Sequence, residues 1–370
     1  MHLLIASPYQ NEHLILRPGS GKAVKIPQGH FKVLEHAAAF GEPSPDWLTS
    51  VVKRAWELDL EGRPVAGNVL IRKPGLTGHS RATYEINLGC DYKCPECYLG
   101  EKRFEGLDWD GKVRMLYAVR DSGVIWFQFT GGEPLIDRDF KRAYRLANEL
   151  GMMVEILSNG SSLHKPEIMD LLRELPPETL TLSLYGATEK TYEECTKTGH
   201  SYKKFCVGLD AAVEAGLNVK LSLVIIKENA HEQNAMRAWA ERLGVPWSEY
   251  ALMSPTIAGG AEPLANQSPA HLKERQPFTG CPAGHTFYHL NPFGLASICK
   301  VGRDPSINLV DEGASALTRL GGIADSLMLR TGGCSGCQLS GSCRVCRPMA
   351  KLMQQAEAPL KNYCQHAPKE

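Results

Sequence analysis

Ten of the twelve cysteines in this 370-residue chain fall into two groups. Cys90, Cys94 and Cys97 stand together, and Cys281, Cys299, Cys334, Cys337, Cys343, Cys346 and Cys364 occupy the last quarter. Only Cys195 and Cys206 are isolated. Such grouping means the fold must gather thiols, either as disulfides or around metal. The first residues, MHLLIASPYQNEHLILRP, carry no basic start and no long apolar run, so they do not read as a signal peptide. The expectation is a cytoplasmic chain, where disulfide frameworks are rare and clustered cysteines more often bind metal.

Composition narrows the partners. Lys plus Arg equals Asp plus Glu at 41 each, and no basic run interrupts the balance. Nucleic acid and anionic membrane surfaces call for a basic surplus or patch, so neither is expected as a partner. No segment approaches the roughly 20 apolar residues that cross a bilayer.

Three textures follow one another along the chain. Residues 1–75 read as a small α+β unit, with short strands at 13–17, 22–26 and 68–72 and an amphipathic helix at 46–56. From residue 76 to 253 strand and helix patterns alternate. Apolar or β-branched runs at 82–88, 124–129, 153–158, 180–184, 219–226 and 248–253 are separated by helical patterns. That alternation argues for an α/β domain with a parallel sheet, open or curled into a partial barrel, with its site at the C-terminal strand ends. Residues 254–370 lose periodicity and fill with Pro, Gly, Ser and Cys, as in a unit organised by metal.

Cys90-Asp91-Tyr92-Lys93-Cys94-Pro95-Glu96-Cys97-Tyr98 follows the first strand of the alternating region directly. Three thiolates this close can bind three irons of a cubane and leave the fourth iron free of protein, as chemistry at a metal requires. A zinc site with one distant ligand is the alternative on spacing alone. After the second strand comes Thr130-Gly131-Gly132-Glu133-Pro134. Glycines there would let backbone approach a ligand closely, and Glu133 would offer negative charge to an amino group.

The CxxxCxxC run ending in Tyr98, followed by Gly131-Gly132-Glu133-Pro134, resembles the radical S-adenosylmethionine (SAM) superfamily. Ser158-Asn159-Gly160, Ser183 and Asn229 are similar to that family's third-, fourth- and fifth-strand ends. The resemblance implies a partial (β/α)6 TIM-like barrel. It also implies a [4Fe–4S] cluster on Cys90, Cys94 and Cys97 that binds SAM and cleaves it to a 5′-deoxyadenosyl radical. Gly131, Gly132, Glu133, Ser158 and Ser183 would contact the cofactor, and Tyr98 would offer backbone to adenine.

The later cysteines include Cys334-x2-Cys337-x5-Cys343-x2-Cys346, for which a zinc ribbon is the simple alternative. Seven thiols exceed one four-ligand site and fall one short of two. The set resembles the SPASM extension, which holds two auxiliary [4Fe–4S] clusters. The family's assignment would give Cys334, Cys337, Cys343 and Cys364 to the distal cluster and Cys281, Cys299 and Cys346 to the proximal one. An open iron, His285 or a substrate thiolate would complete the latter. Cys343 and Cys346 are separated by two residues where the family usually has three. Cys195 and Cys206 fall in helical patterns and are expected to be packed, inert thiols.

By the same resemblance, the substrate expected is a ribosomally made precursor peptide, whose hydrogen is abstracted to leave an oxidised or crosslinked residue. The electron donor would be a flavodoxin or ferredoxin. A small-molecule dehydrogenase or a sulfatase-maturase-like enzyme is the second reading. A non-enzymatic iron–sulfur carrier or zinc-stabilised binding module is the third, and a carrier would have no use for the Gly131–Pro134 motif with Ser183. Residues 1–75 would serve either as a leader-peptide recognition unit or as a cap on the barrel.

Overall fold

The computed structural model describes residues 2–272, 280–327, 338, 345–364 and 366. Cys334, Cys337 and Cys343 therefore lie outside the described residues. The chain begins with β1 (Leu4–Tyr9), β2 (Glu12–Leu16) and β3 (Ala23–Ile26), then α1 (Gln28–Phe40), α2 (Asp46–Trp56) and β4 (Val69–Ile71). These strands form one sheet in the order β3-β2-β1-β4, with β4 parallel to β1. Sequence reading missed β1 and α1. β1 opens in a continuous apolar run without alternation, and α1 has Pro27 at its N-cap with no side-chain cap to announce it.

The two faces of this sheet have different jobs. Leu4, Ala6 and Ile15 pack on Phe31, Leu34, Leu48, Val52 and Trp56 of the two helices. Ile5, Leu14 and Leu16 pack instead on Ile125 and Met153. Those two residues stand at the N-terminal ends of the neighbouring domain's strands, so the unit lies beneath that domain. The Arg72 guanidinium fastens the contact, Nη1 donating to the Gly151 carbonyl and Nη2 to the Arg120 carbonyl (3.2 Å each).

The second domain alternates strand and helix as its apolar pattern predicts. Its elements are β5 (Arg81–Glu85), α3 (Trp109–Ser122), β6 (Trp126–Thr130), α4 (Phe140–Glu149), β7 (Met153–Ser158), α5 (Pro166–Glu174) and β8 (Thr179–Leu184). They continue with α6 (Glu189–Thr196), α7 (Ser201–Glu214), β9 (Val219–Val224), α8 (Gln233–Leu243) and β10 (Trp247–Tyr250). The six strands are parallel and neighbour each other in chain order. β10 does not pair with β5, so the sheet curls as a partial, TIM-like barrel. In β8, Leu180, Leu182 and Leu184 are buried against the helices while Thr179, Thr181 and Ser183 alternate with them.

The sheet does not stop at residue 253. β11 (Phe287–Leu290) pairs parallel with β5, and β12 (Leu295–Ser297) and β13 (Ile307–Asn308) extend it antiparallel. Tyr288, Leu290, Ala296 and Ile307 are buried in the main core. The segment expected to be organised by metal thus owes part of its order to an apolar sheet. Three helices, α9 (Leu309–Glu312), α10 (Arg319–Ser326) and α11 (Arg347–Gln355), complete the described chain. Among the described residues no helix is long and apolar enough to cross a membrane.

Candidate functional site

The C-terminal ends of β5 to β10 surround a cavity of about 190 Å³. Cys90, Cys94, Cys97 and Tyr98 line it from the loop after β5, and Thr130, Gly131 and Gly132 from the end of β6. Ser158 and Asn159 enter at the end of β7, Ser183 and Tyr185 at β8, Ser222 and Val224 at β9, and Tyr250 at β10. Residues that the sequence scatters over more than a hundred positions thus share one wall, because parallel strands place all their C-terminal ends on the same side.

Close backbone approach joins the first two strand ends. Gly132 N–H donates to the Asn87 carbonyl at 3.0 Å, and Glu133 N–H to the Gly89 carbonyl at 2.8 Å. A Cβ on Gly132 would stand 1.9 Å from the Gly89 oxygen, and one on Gly131, whose φ is +131°, would stand 2.2 Å from the Asn87 oxygen. Only glycine permits this contact at both positions.

Glu133 is held by three donors of the protein itself. Its carboxylate has no exposure and does not line the cavity. Oε1 accepts from Leu135 N–H (3.0 Å) and the Ser158 hydroxyl (2.8 Å), and Oε2 accepts from Asn159 N–H (2.7 Å). Burial raises its pKa to about 7 against the pull of these donors. The residue ties β6 to β7.

Asn159 is the side chain of this group that reaches the cysteines. Its Nδ2 donates to Asp91 Oδ1 at 2.9 Å and lies 3.7 Å from Cys90 Sγ. Asn229, the other asparagine of the resemblance, is fully buried and holds backbone only, donating to the Tyr185 and Val224 carbonyls and accepting from Ile226 N–H. Tyr98 has its carbonyl engaged by Ile257 N–H (2.8 Å) and its hydroxyl by Glu85 Oε1 (2.9 Å).

Lys102 favours the thiolate form of all three cysteines, and Lys300 that of Cys97, but burial outweighs them. Burial and the Glu133 carboxylate push Cys90 up to about 12, and burial with neighbouring carboxylate charge raises Cys94 and Cys97. In the metal-free protein they are protonated, and a bound metal must displace those protons. Among the described residues no three His, Cys, Asp or Glu side chains stand close enough together to hold a single metal ion. A cubane asks something else of its ligands, since each thiolate takes its own iron.

Sequence reasoning did not find Lys300. It lines the same cavity, with Nζ 4.4 Å from the Tyr98 ring centroid and 6.0 Å from that of Tyr250. Tyr98 follows β5 and Tyr250 ends β10, so Lys300 spans the seam where the barrel is not hydrogen-bonded closed. The signal available was its place directly after Cys299.

Of the later cysteines, Cys281, Cys299 and Cys346 come together. Beyond burial, Cys281 acts on the Cys299 thiol, and Cys299 and Cys281 both act on Cys346, each raising the pKa. Cys364 packs with Met353 and Tyr363. His285 Nε2 sits 3.0 Å from Asp325 Oδ1. Cys195 is fully buried in α6, and Cys206 is partly buried in α7.

Comparison with known proteins agrees with this geometry. Residues 84–239 match the Radical SAM superfamily. The chain is 30% identical over 166 residues to the GTP 3′,8-cyclase of Mesorhizobium japonicum, covering 42% of this chain and 49% of that protein. It spans about half the length of the curated relatives it matches. In fold it is similar to Streptococcus suis SuiB bound to precursor peptide SuiA, with TM-score 0.59, 14% identity and coverage of 92% of this chain and 93% of that one. It is also similar to native anSMEcpe with bound AdoMet and Cp18Cys peptide, with TM-score 0.53, 13% identity and coverage of 77% and 93%.

Proposed function

Residues 84–239 are a radical SAM domain, and on that premise we propose that this chain is a radical SAM enzyme that modifies a ribosomally made peptide. The observation that carries the reading is the convergence of Cys90, Cys94, Cys97, Gly131, Gly132, Ser158 and Ser183 on one cavity. When bound, a [4Fe–4S] cluster and SAM supply one-electron cleavage of the sulfonium and a 5′-deoxyadenosyl radical that abstracts hydrogen.

The chain's own residues divide the remaining work. Cys90, Cys94 and Cys97 would each bind one iron and leave the fourth for the cofactor. Gly131 and Gly132 would bring backbone against its methionine end, Asn159 and Ser183 would offer hydrogen bonds from the adjoining strand ends, and Ser158, its hydroxyl given to Glu133, would line the wall between them. Glu133 acts one layer below, fixing β7 against β6. Tyr98, Tyr185 and Tyr250 line the same cavity and would help to keep water from a radical.

A peptide substrate is supported by the likeness over nearly the whole chain to SuiB, a protein whose structure holds its precursor peptide. The position of residues 1–75 beneath the strand N-termini, away from the cavity, favours the cap over direct delivery of a leader to the site. The gathering of Cys281, Cys299 and Cys346 supports a proximal auxiliary cluster, through which an electron could leave the substrate. A distal cluster would use Cys334, Cys337, Cys343 and Cys364. The second reading, a small-molecule substrate, draws on the sequence likeness to a GTP 3′,8-cyclase.

The test is anaerobic. The reconstituted protein is given SAM, a reductant such as reduced flavodoxin, and a short peptide encoded beside its gene. The peptide should change mass while 5′-deoxyadenosine forms. No 5′-deoxyadenosine under any condition would sink the radical reading; 5′-deoxyadenosine with an unchanged peptide would leave the small-molecule one.

A further inference from the structure

Three segments meet at one buried carboxylate. Glu85, the last residue of β5, has no exposure. Its Oε1 accepts from the Tyr98 hydroxyl at 2.9 Å and Arg303 Nη2 at 2.8 Å. Its Oε2 accepts from Arg303 Nη1 at 3.0 Å and lies 3.4 Å from His289 Nε2. His289 is itself oriented by Thr83, whose hydroxyl is 2.8 Å from Nδ1. Burial alone would raise the Glu85 pKa, but His289 and Arg303 hold it well below the usual carboxylate range.

The partners matter for where they sit in the chain. Tyr98 adjoins Cys97, the last cysteine of the cavity loop. Arg303 lies four residues after Cys299, in the segment that also sends Lys300 over the Tyr98 ring. A two-pronged guanidinium–carboxylate pair removed from water is directional and resists sliding. A displacement of the cavity loop at Tyr98 would therefore be passed through Glu85 to the Cys299 segment, and the reverse would hold by reciprocity.

We propose that Glu85 is a positioning residue that couples ligand occupancy of the cavity to the Cys299–Arg303 segment. The inference rests on the reading that SAM binds at the Cys90–Tyr98 loop. It does not require an auxiliary cluster, because the coupling runs through side chains present in the chain itself. Binding of SAM would then order the segment bearing Cys299 before any electron moves.

Hydrogen–deuterium exchange on the full, reconstituted protein tests this, with SAM as the probe. In the wild type, SAM should slow exchange in both 90–98 and 299–303, the latter by about fivefold or more, the lower range of site-to-site coupling. Glu85→Gln should keep the first effect and lose the second. Tyr98→Phe removes one hydroxyl, folds even if Glu85→Gln does not, and should lose the second effect too. Equal SAM-dependent protection of 299–303 in wild type and Tyr98→Phe would overturn the proposal. So would wild-type protection confined to 90–98, with the SAM reading left standing. Protection of neither segment would remove that reading and the coupling together.

Discussion

The Glu133 carboxylate and the Ser158 hydroxyl, 2.8 Å apart and both buried, lock the end of β6 to the end of β7 directly behind the cysteine loop. Ser158 Oγ in turn accepts from Gly160 N–H at 2.9 Å, so one side chain sets the turn that aims Asn159 at Cys90 and Asp91. The geometry of the cavity's inner wall follows from this buried carboxylate.

That burial gives stability an unusual pH dependence. Glu133 has its pKa raised from 4.5 to about 7 in the folded state. Its contribution is therefore fully present below the unfolded value and is lost as pH rises through the folded one, opposite to a salt-bridged carboxylate. Between pH 4.5 and 7 the contribution should fall by about 3 kcal/mol. Urea unfolding of the cluster-free protein across pH 5 to 8 checks this: Glu133→Gln should be flatter than wild type by roughly that amount, and parallel curves would refute it.

Gly132→Ala should separate the cysteine loop from β6. The added Cβ meets the Gly89 carbonyl at 1.9 Å, which is backbone and has nowhere to go. A cost of about 2–3 kcal/mol is expected, together with loss of iron on reconstitution. Calorimetry and iron analysis on the same sample measure both, and wild-type values for the two would show that the contact is slack.

Lys112 is another buried support. Its Nζ lies 2.7 Å from Asp139 Oδ2 and 3.4 Å from Asp137 Oδ1, just beyond the Gly131–Pro134 motif. Asp137 also accepts from Asn87 Nδ2 at 3.0 Å. Lys112→Met strands part of that negative charge, though Arg142 still pairs with Asp139. The expected loss is about 2–3 kcal/mol, below that of a buried pair left wholly uncompensated. Denaturant midpoints decide it, and a change under 0.5 kcal/mol, the range of neutral surface substitutions, would contradict the assigned support.

Iron content separates the cluster assignments. Replacing Cys90, Cys94 and Cys97 with Ala should remove about four irons per chain, and replacing Cys281, Cys299 and Cys346 about four others, from a total of about 12. Loss of iron from the first set alone, with the second set inert, would leave Cys281, Cys299 and Cys346 without a cubane.

Much of this was legible along the chain. The six strand patterns and their intervening helices are where periodicity puts them, since a residue's neighbours at two or 3.6 positions decide which face it buries. The two glycines were readable as points of close approach. Glu133 was not readable as an inward tie, because nothing in a linear string says whether a carboxylate faces ligand or protein. Lys300 escaped notice because its neighbours in space come from the loop after β5 and from the end of β10. The addition of β11 to β5 was equally hidden: each of those strands is short, and pairing partners across two hundred residues leave no local mark.

The sequence by itself determined the chemistry on offer, namely which thiols, glycines and hydroxyls exist and which strand ends carry them. Local preference and spacing suffice for that, because they act over a few residues. Only the tertiary structure decided which groups share a cavity, which are turned away from it, and that Glu85 joins Tyr98 to Arg303. Those outcomes depend on the curl of a parallel sheet and on burial. Both are set by the whole core at once.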